Sequence, residues 1–315
     1  MPFCAPRAKC IYHSCVCVCE EQLKKKPGHG ESKMTKVVCA LGICLASCFA
    51  HVTMAAAVGT VDGVQLPAWL DRAGLTVPIS PGVSLQAGDT VRTGAGARLL
   101  LKLEEGSFVK LGENARFVIE RAQPRKGAFE AVLKVLNGAF RFTTATLSRN
   151  LPRDVRIRVG QNATVGIRGT DLWGRSRDDS DIVCLIEGKI EITGNDKKSL
   201  ILDQPLQLFQ STSAAPPAPI SILTKPELEV FAAETEMELG KTSSPQGGWK
   251  VVIDGFASRA EAREAARNLR NNGYPAEVTA DNNLIIAKMD SELSARQLAA
   301  RLKAGSGFKE VRIAQ

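Results

Sequence analysis

The sequence has 315 residues, enough for about two domains of ~150 residues each, and a formal charge of +8 from 41 Lys and Arg against 33 Asp and Glu. Residues 1–57 hold seven of the basic and three of the acidic residues, which leaves 34 against 30 in the rest of the chain. Without a concentrated basic stripe, nucleic acid is excluded as the expected partner.

Val37 to Ala57 contains no Asp, Glu, Lys or Arg, follows Lys36 and closes on Ala55-Ala56-Ala57. A basic start, an apolar run and a small-residue ending predict a secretory signal peptide cut after Ala57, with Met34 as the more natural start. Two alternatives stand beside it. Leu45-Ala46-Ser47-Cys48 resembles a lipobox, which would lipidate Cys48, and the 21-residue uncharged run is long enough to span a membrane uncleaved. Membrane attachment is expected only in those two cases. Eight of the nine cysteines and all three histidines (His13, His29, His51) precede the cut. A mature chain with Cys184 as its one thiol forms no intrachain disulfide. Lacking histidine, it has neither Ser-His-Asp nor Cys-His catalysis, nor a His-ligated metal. No Asp/Glu spacing picks out a hydrolytic pair. The expectation is a non-enzyme with no catalytic residue, metal site or cofactor.

From Val58 to about Gln210 the chain reads as short alternating runs broken by Gly, Asn and Pro. Val155, Ile157 and Val159 alternate with Arg156 and Arg158, and Ile182, Cys184 and Ile186 point one way. Asn137-Gly138, between Lys134-Val135-Leu136 and Phe140-Arg141-Phe142, predicts a two-residue hairpin, and Glu187-Gly188 before Lys189-Ile190-Glu191-Ile192 predicts another. Strands at this spacing predict an all-β sandwich or roll over 58–210, with Cys184 as a small apolar core residue.

Leu85-Gln-Ala-Gly-Asp89-Thr-Val-Arg-Thr-Gly-Ala-Gly-Ala97, continuing to Leu103 and through Gly106-Ser-Phe-Val-Lys-Leu-Gly112, resembles the FecR domain. Val165-Gly-Ile-Arg-Gly-Thr-Asp171 is similar to it as well. The physical content of this last run is turn geometry: Gly166 and Gly169 allow positive φ or close backbone approach, and Thr170 and Asp171 bond nearby backbone groups. With no Lys-Ser/Thr ending and no following helix pattern it is not a phosphate loop. The FecR resemblance implies an envelope domain, in the founding case a periplasmic relay for iron-uptake signalling. Residues 1–36 are too short and too rich in Cys and Lys for the cytoplasmic regulatory segment that role needs. The sequon-like Asn162-Ala-Thr164 is a three-residue match and carries no weight.

Residues 211–246 read as a linker that opens with Ser-Thr-Ser-Ala-Ala-Pro-Pro-Ala-Pro219, of extended, semi-rigid character. Pro226 to Leu239 then predicts a short acidic helix with Pro226 in its first turn and Gly240 at its end. Glu227, Glu229, Glu234, Glu236 and Glu238 line it, and it is expected to be solvated and to space the domains.

The tail, 247–315, uses one half-unit twice. Val251-Val252-Ile253 is answered 33 residues later by Leu284-Ile285-Ile286, and Ala262, Ala266 and Leu269 by Ala295, Ala299 and Leu302. A capping box at Ser258 and Glu261 and a cap at Asp290 or Ser291 open two amphipathic helices, the first ending near Gly273, the second stopped by Gly305 and Gly307. The pattern predicts a small α+β domain of βαββαβ order, with both helices on one sheet face and the other face open.

Trp249-Lys-Val-Val-Ile-Asp-Gly-Phe256, followed by Ser258-Arg-Ala-Glu-Ala262 and by Leu269 to Gly273-Tyr274, resembles a SPOR domain of bacterial envelope proteins. The resemblance implies binding to septal peptidoglycan, in particular to glycan strands stripped of their stem peptides. Family members tend to carry a Gln and a Ser around the first strand and an aromatic and an Arg on the third. The matching positions here are Val252, Gly255, Asn283 and Ile285, and none keeps the expected side chain. Strand alternation places Lys250, Val252, Asn283 and Ile285 on the open face as the candidate glycan-binding residues, and Val251, Ile253, Leu284 and Ile286 under the helices. Val252 and Ile285 would meet sugar rings, while Lys250 and Asn283 would hydrogen-bond hydroxyls.

The two resemblances together imply an exported, non-enzymatic protein of the periplasm or cell envelope, enriched at the division septum. Its tail would bind peptidoglycan glycan strands and its β domain an envelope protein. The alternative is a FecR-type envelope signalling component anchored by an uncleaved N-terminal segment.

Overall fold

Alternation of apolar and polar residues puts one side of each strand in and the other out, so the strand-rich region closes as two layers. The computed structural model describes residues 56–125, 128–144, 153–194, 196–212, 217–308 and 310–315. Met34, Cys48 and the histidines lie outside the described residues. The strands are β1 (Ala57–Gln65), β2 (Ala68–Arg72), β3 (Leu75–Pro78), β4 (Ser84–Gln86), β5 (Thr90–Thr93), β6 (Arg98–Leu103), β7 (Phe108–Leu111), β8 (Arg116–Arg125), β9 (Ala128–Thr143), β10 (Arg153–Val159), β11 (Ala163–Ile167), β12 (Asp171–Ser176), β13 (Ser180–Glu187), β14 (Ile190–Gly194), β15 (Ser199–Leu202), β16 (Gln207–Thr212) and β17 (Ser221–Ile222). One sheet runs β4-β1-β6-β7-β9-β12-β13-β16-β17. The other runs β3-β2-β5-β8-β9-β10-β11-β14-β15, with only the β9–β10 pair parallel. This is the expected all-β sandwich. Between its sheets Leu99, Phe117, Leu133, Phe140, Phe142, Ile157 and Phe209 are buried, each contributing about 1.5–3 kcal/mol.

The expected hairpin at Asn137-Gly138 is absent. Instead β9 runs straight through it, pairing with β8 and β10 in its first half and with β7 and β12 in its second. Inward positions change parity there, from Phe129, Ala131, Leu133 and Val135 to Phe140 and Phe142. Gly138 has φ 90°, and a Cβ on it would lie 2.6 Å from Ala115 Cα. The pair that signals a reversal is therefore used as a bend by which one strand changes sheet.

Glu187-Gly188 is likewise no hairpin, since β13 and β14 belong to different sheets and the turn carries the chain between them. Gly188 has φ 95°, and a Cβ there would lie 2.6 Å from the Gly169 carbonyl oxygen. Gly169, φ 119°, sits in the neighbouring crossing from β11 to β12. The Gly166–Asp171 run is thus turn geometry as expected, with two differences. Gly166 meets nothing closer than the Glu191 carbonyl at 3.8 Å, so it needs no glycine for space. Thr170 exchanges bonds with Thr144 only through its own N–H and carbonyl, its hydroxyl having no partner among the described residues, and the Asp171 carboxylate accepts from Arg141 and Thr143 side chains rather than from backbone.

A second apolar cluster lies on the outer face of the first sheet. Ala139, Trp173, Ile182, Cys184, Leu208 and Leu223 are buried there, with Leu228 and Phe231 packed against them. Cys184 is a core residue as expected, and burial pushes its thiol up to about 12.

What covers this cluster is the linker. β17 returns along β16, and α1 (Lys225–Ala233) opens on a capping box formed by Thr224 and Glu227. The helix stops at Ala233 rather than Leu239. Nor is the segment a solvated spacer, because Thr235 is 0% exposed and the glutamates on either side of it, Glu234 and Glu236, pair with the β domain.

The tail has the expected order: β18 (Trp249–Asp254), α2 (Arg259–Asn271), β19 (Glu277–Val278), β20 (Leu284–Met289), α3 (Glu292–Ser306) and β21 (Glu310–Ala314). Its antiparallel sheet runs β19-β20-β18-β21. Ser258 accepts from Glu261 N–H, while the Glu261 carboxylate reaches Ala257 N–H, one residue before the box position. Ser291 caps α3, which ends at Gly307 with φ 68°. Ala262, Ala266, Leu269, Ala295, Leu298 and Leu302 cover the face that carries Val251, Ile253, Leu284 and Ile286. Among the described residues no helix is long and apolar enough to cross a membrane.

Candidate functional site

The tail meets the β domain through its helix side. Ala68 N–H donates to Gly273 O (3.2 Å) and Trp69 Nε1 to Asn271 O (3.0 Å), both at the end of α2. Arg301 of α3 donates to Leu66 O (3.0 Å), and Lys288, near the end of β20, donates to Pro81 O (2.9 Å). Val64 and Ser243 exchange two backbone bonds of 2.9 Å. The opposite face of the tail sheet is left outward.

On that face the register aligns Glu277, Ile285, Val252 and Arg312 across the four strands, with Lys250 opposite Ala314 and Asp254 opposite Glu310 in flanking rows. Lys250 and Ile285 are half-buried on it, as expected for a shallow surface. Val252 departs from expectation. Its parity is right, but on a central strand between Ile285 and Arg312 it is only 3% exposed, too little to meet a ligand. Asn283 sits at the turn into β20, its N–H donating to Thr279 Oγ1 (3.1 Å).

Arg312 was missed in the sequence. Its side chain is 57% exposed and held by Asp254, with Nε–Oδ2 at 2.6 Å. The signal was available, since Val311 and Ile313 face the helices and period-2 alternation puts Arg312 on the other side. The face thus offers an apolar patch at Ile285 on β20, with the cations Lys250 and Arg312 on the two strands to one side of it, β18 and β21. Such a shallow, charged strip suits an extended anionic or hydroxylated polymer better than a small molecule, which needs a concave pocket.

A second constellation lies where the linker crosses the β domain. Phe231 stacks on Trp173 with ring centroids 4.6 Å apart and an 11° tilt. The Arg175 guanidinium lies 5.5 Å from each ring centroid and donates to Glu234 at 2.5 Å. Glu236 takes Lys110 (2.5 Å) and Arg141 (3.0 Å), while Arg141 also holds Asp171 with two bonds of 2.9 and 2.7 Å. The Asp171 bond, then Asp171 and Glu236 charge, keep the Arg141 guanidinium above its ordinary value. Gln65 bonds both the carboxylate and the N–H of Glu238 at 3.2 Å. Gly112 permits the close pass, because a Cβ there would lie 2.6 Å from Glu234 O. The sequence signal was the alternation of Glu234, Glu236 and Glu238, an extended-chain period inside a stretch read as helix.

Comparison with known proteins places these two regions. Residues 89–191 match the family described as FecR protein, and residues 245–313 match the SPOR domain. No curated protein matches the sequence significantly. Two crystal structures of a candidate anti-sigma factor from Parabacteroides distasonis, at 1.65 and 2.50 Å resolution, are similar at a TM-score of 0.38 each. They share 12% and 13% identity with this chain and cover 72% and 71% of it and 98% and 96% of their own lengths. The chain therefore joins a FecR region, residues 89–191, to a C-terminal SPOR domain, residues 245–313.

Proposed function

We propose that this is an exported, non-enzymatic protein of a bacterial cell envelope that binds peptidoglycan through the open face of its SPOR domain, while the FecR region engages an envelope protein. The observation that carries the reading is the outward position of that face, with Lys250, Ile285 and Arg312 on it. Glycan strands without stem peptides expose ring faces, hydroxyls and free lactyl carboxylates. Ile285 meets the first, and the two cations meet the others by charge-assisted hydrogen bonds. The bound location is the periplasm, with enrichment where denuded strands accumulate, at the division septum.

Pull-down of the chain on purified sacculi tests this. Amidase-treated sacculi, rich in bare glycan, should retain more protein than untreated ones, and Lys250→Glu or Arg312→Glu should each reduce retention at least tenfold while the circular dichroism of the folded chain stays unchanged. Equal retention of wild type and both variants would remove the face from consideration, and no retention on treated sacculi would remove the function.

The FecR match supports a second reading, a signalling component anchored by an uncleaved leader. Mass spectrometry of the envelope fraction separates the two. Val58 as first residue is the expected result, whereas an intact Met34 terminus favours the anchor and a diacylated Cys48 means a lipoprotein.

A further inference from the structure

The outer face of the first sheet has the construction of a peptide-recognition groove. Its floor is Trp173, Ile182, Cys184 and Leu208, which face away from the core between the sheets. Its rim carries three cations from three neighbouring strands, Lys110, Arg141 and Arg175. The chain's own segment from Leu223 to Glu238 lies on it, and its chemistry matches the groove position by position. Phe231 meets the indole of Trp173, Glu234 meets Arg175, and Glu236 meets Arg141 and Lys110.

Two observations distinguish a site from a mere path for a linker. The Nε1 of Trp173 and the Nε of Arg175 are buried donors with no acceptor among the described residues, so the resident segment leaves part of the groove's recognition chemistry unused. The resident segment is also held in a way that favours exchange. α1 buries none of its residues completely, only Leu223 and Thr235 of the segment are buried, and Glu234 and Glu236 keep 32% and 44% of their side-chain surface in solvent, whereas Trp173 and Cys184 beneath are fully buried.

We propose that this face is a docking site for a partner polypeptide that presents an aromatic side chain followed by acidic residues, and that residues 223–238 are its resident occupant, keeping it closed until displaced. The proposal rests on the reading of the FecR region as a partner-binding module and is independent of glycan binding by the tail. A partner with an acceptor placed for the Trp173 and Arg175 nitrogens outcompetes the resident segment, because it pairs donors that the segment does not.

The test uses the full chain carrying Phe231→Ala, Glu234→Lys and Glu236→Lys, together with a milder variant, Glu236→Lys alone. The probe is a fluorescein-labelled peptide with the sequence of residues 223–240, followed by anisotropy. Alkylation of Cys184, read by peptide mapping, reports whether the groove is open. In the triple variant Cys184 should alkylate at least tenfold faster than in wild type with the circular dichroism unchanged. The peptide should bind that variant at least tenfold more tightly than wild type, with the single variant between them, and a peptide carrying lysine at positions 234 and 236 should not bind. If Cys184 becomes reactive and the peptide still does not bind, or the lysine peptide binds equally well, the face is no recognition site. Should the triple variant not fold, absence of peptide binding to the single variant overturns the proposal by itself. A wild-type dimer in sedimentation whose cross-links join the segment of one copy to the groove of another would make the occupant a second copy and overturn the assignment of a foreign partner.

Discussion

Gly188 is held in left-handed backbone, φ 95°, with the Gly169 carbonyl oxygen 2.6 Å from where a Cβ would be. Neither relief is open to a larger residue, because the obstruction is backbone at a packed corner. Gly188→Ala should therefore cost about 2–4 kcal/mol, combining conformational strain with overpacking, and lower the Tm by roughly 5–15 °C for a chain of this size. Gly166→Ala, in the neighbouring motif, has no positive φ and no atom closer than 3.8 Å to the added Cβ, and should cost less than about 1 kcal/mol. Thermal denaturation followed by circular dichroism checks both, and equal losses would mean that the motif's glycines are not distinguished by backbone approach. The same scale shows what one residue's sequence context conveys. Parity placed Lys250, Ile285 and Val252 on the open face correctly, yet exposure depends on neighbours in other strands, so Val252 reads as available and is covered. Arg312, on the last strand, was equally readable by parity.

At the scale of elements, the start of α1 was legible and its end was not. α1 begins where Thr224 and Glu227 form their box, a signal contained within four residues. It ends at Ala233 although Glu234 to Leu239 contains good helix formers, because Arg175, Arg141 and Lys110, distant in sequence, bind the glutamates in another geometry. The aromatic stack contributes about 0.5–1.5 kcal/mol beyond its buried area, and three partly exposed ion pairs add about 0.2–1 kcal/mol each. These terms are small beside a domain's 5–15 kcal/mol or so, and the burial of Leu223, Leu228 and Phe231 on the cluster adds to them. The strand β9 teaches the same lesson from the other side. Its alternation was legible, but Asn137-Gly138 is as good a hairpin signal as any, and only Ala115 packing against Gly138 makes it a sheet-to-sheet bend. The helices of the tail, capped by Ser258 and Ser291 and repeated at a fixed offset, were legible throughout since every determinant is local.

On the scale of the whole molecule, the sandwich and the βαββαβ tail could each be read from pattern, whereas their docking could not, since no local periodicity encodes which faces meet. The described residues from Ala56 onward pack as one unit. Trp69 is central to the contact. Its indole nitrogen binds Asn271 O, Arg92 lies 5.3 Å from its ring centroid, and Gly273 comes so close that a Cβ there would lie 2.8 Å from the ring. The consequence concerns cooperativity. An interface of this kind couples two domains only if it contributes a sizeable part of the smaller domain's stability. The 69 residues matched as the SPOR domain are close to the size at which one core supplies only about 3–5 kcal/mol. Wild type should therefore show one calorimetric transition. Trp69→Ala removes a half-buried side chain worth about 1–3 kcal/mol and should split that transition, with the tail melting first and the β region unchanged. Sacculus retention at 4 °C should survive the substitution, because the open face lies on the side of the sheet away from Trp69. Two resolved transitions already in wild type would mean that the docked arrangement adds little to stability. Loss of retention in Trp69→Ala while the tail remains folded would mean that glycan is bound at the interdomain side, and would move the site away from Lys250 and Arg312.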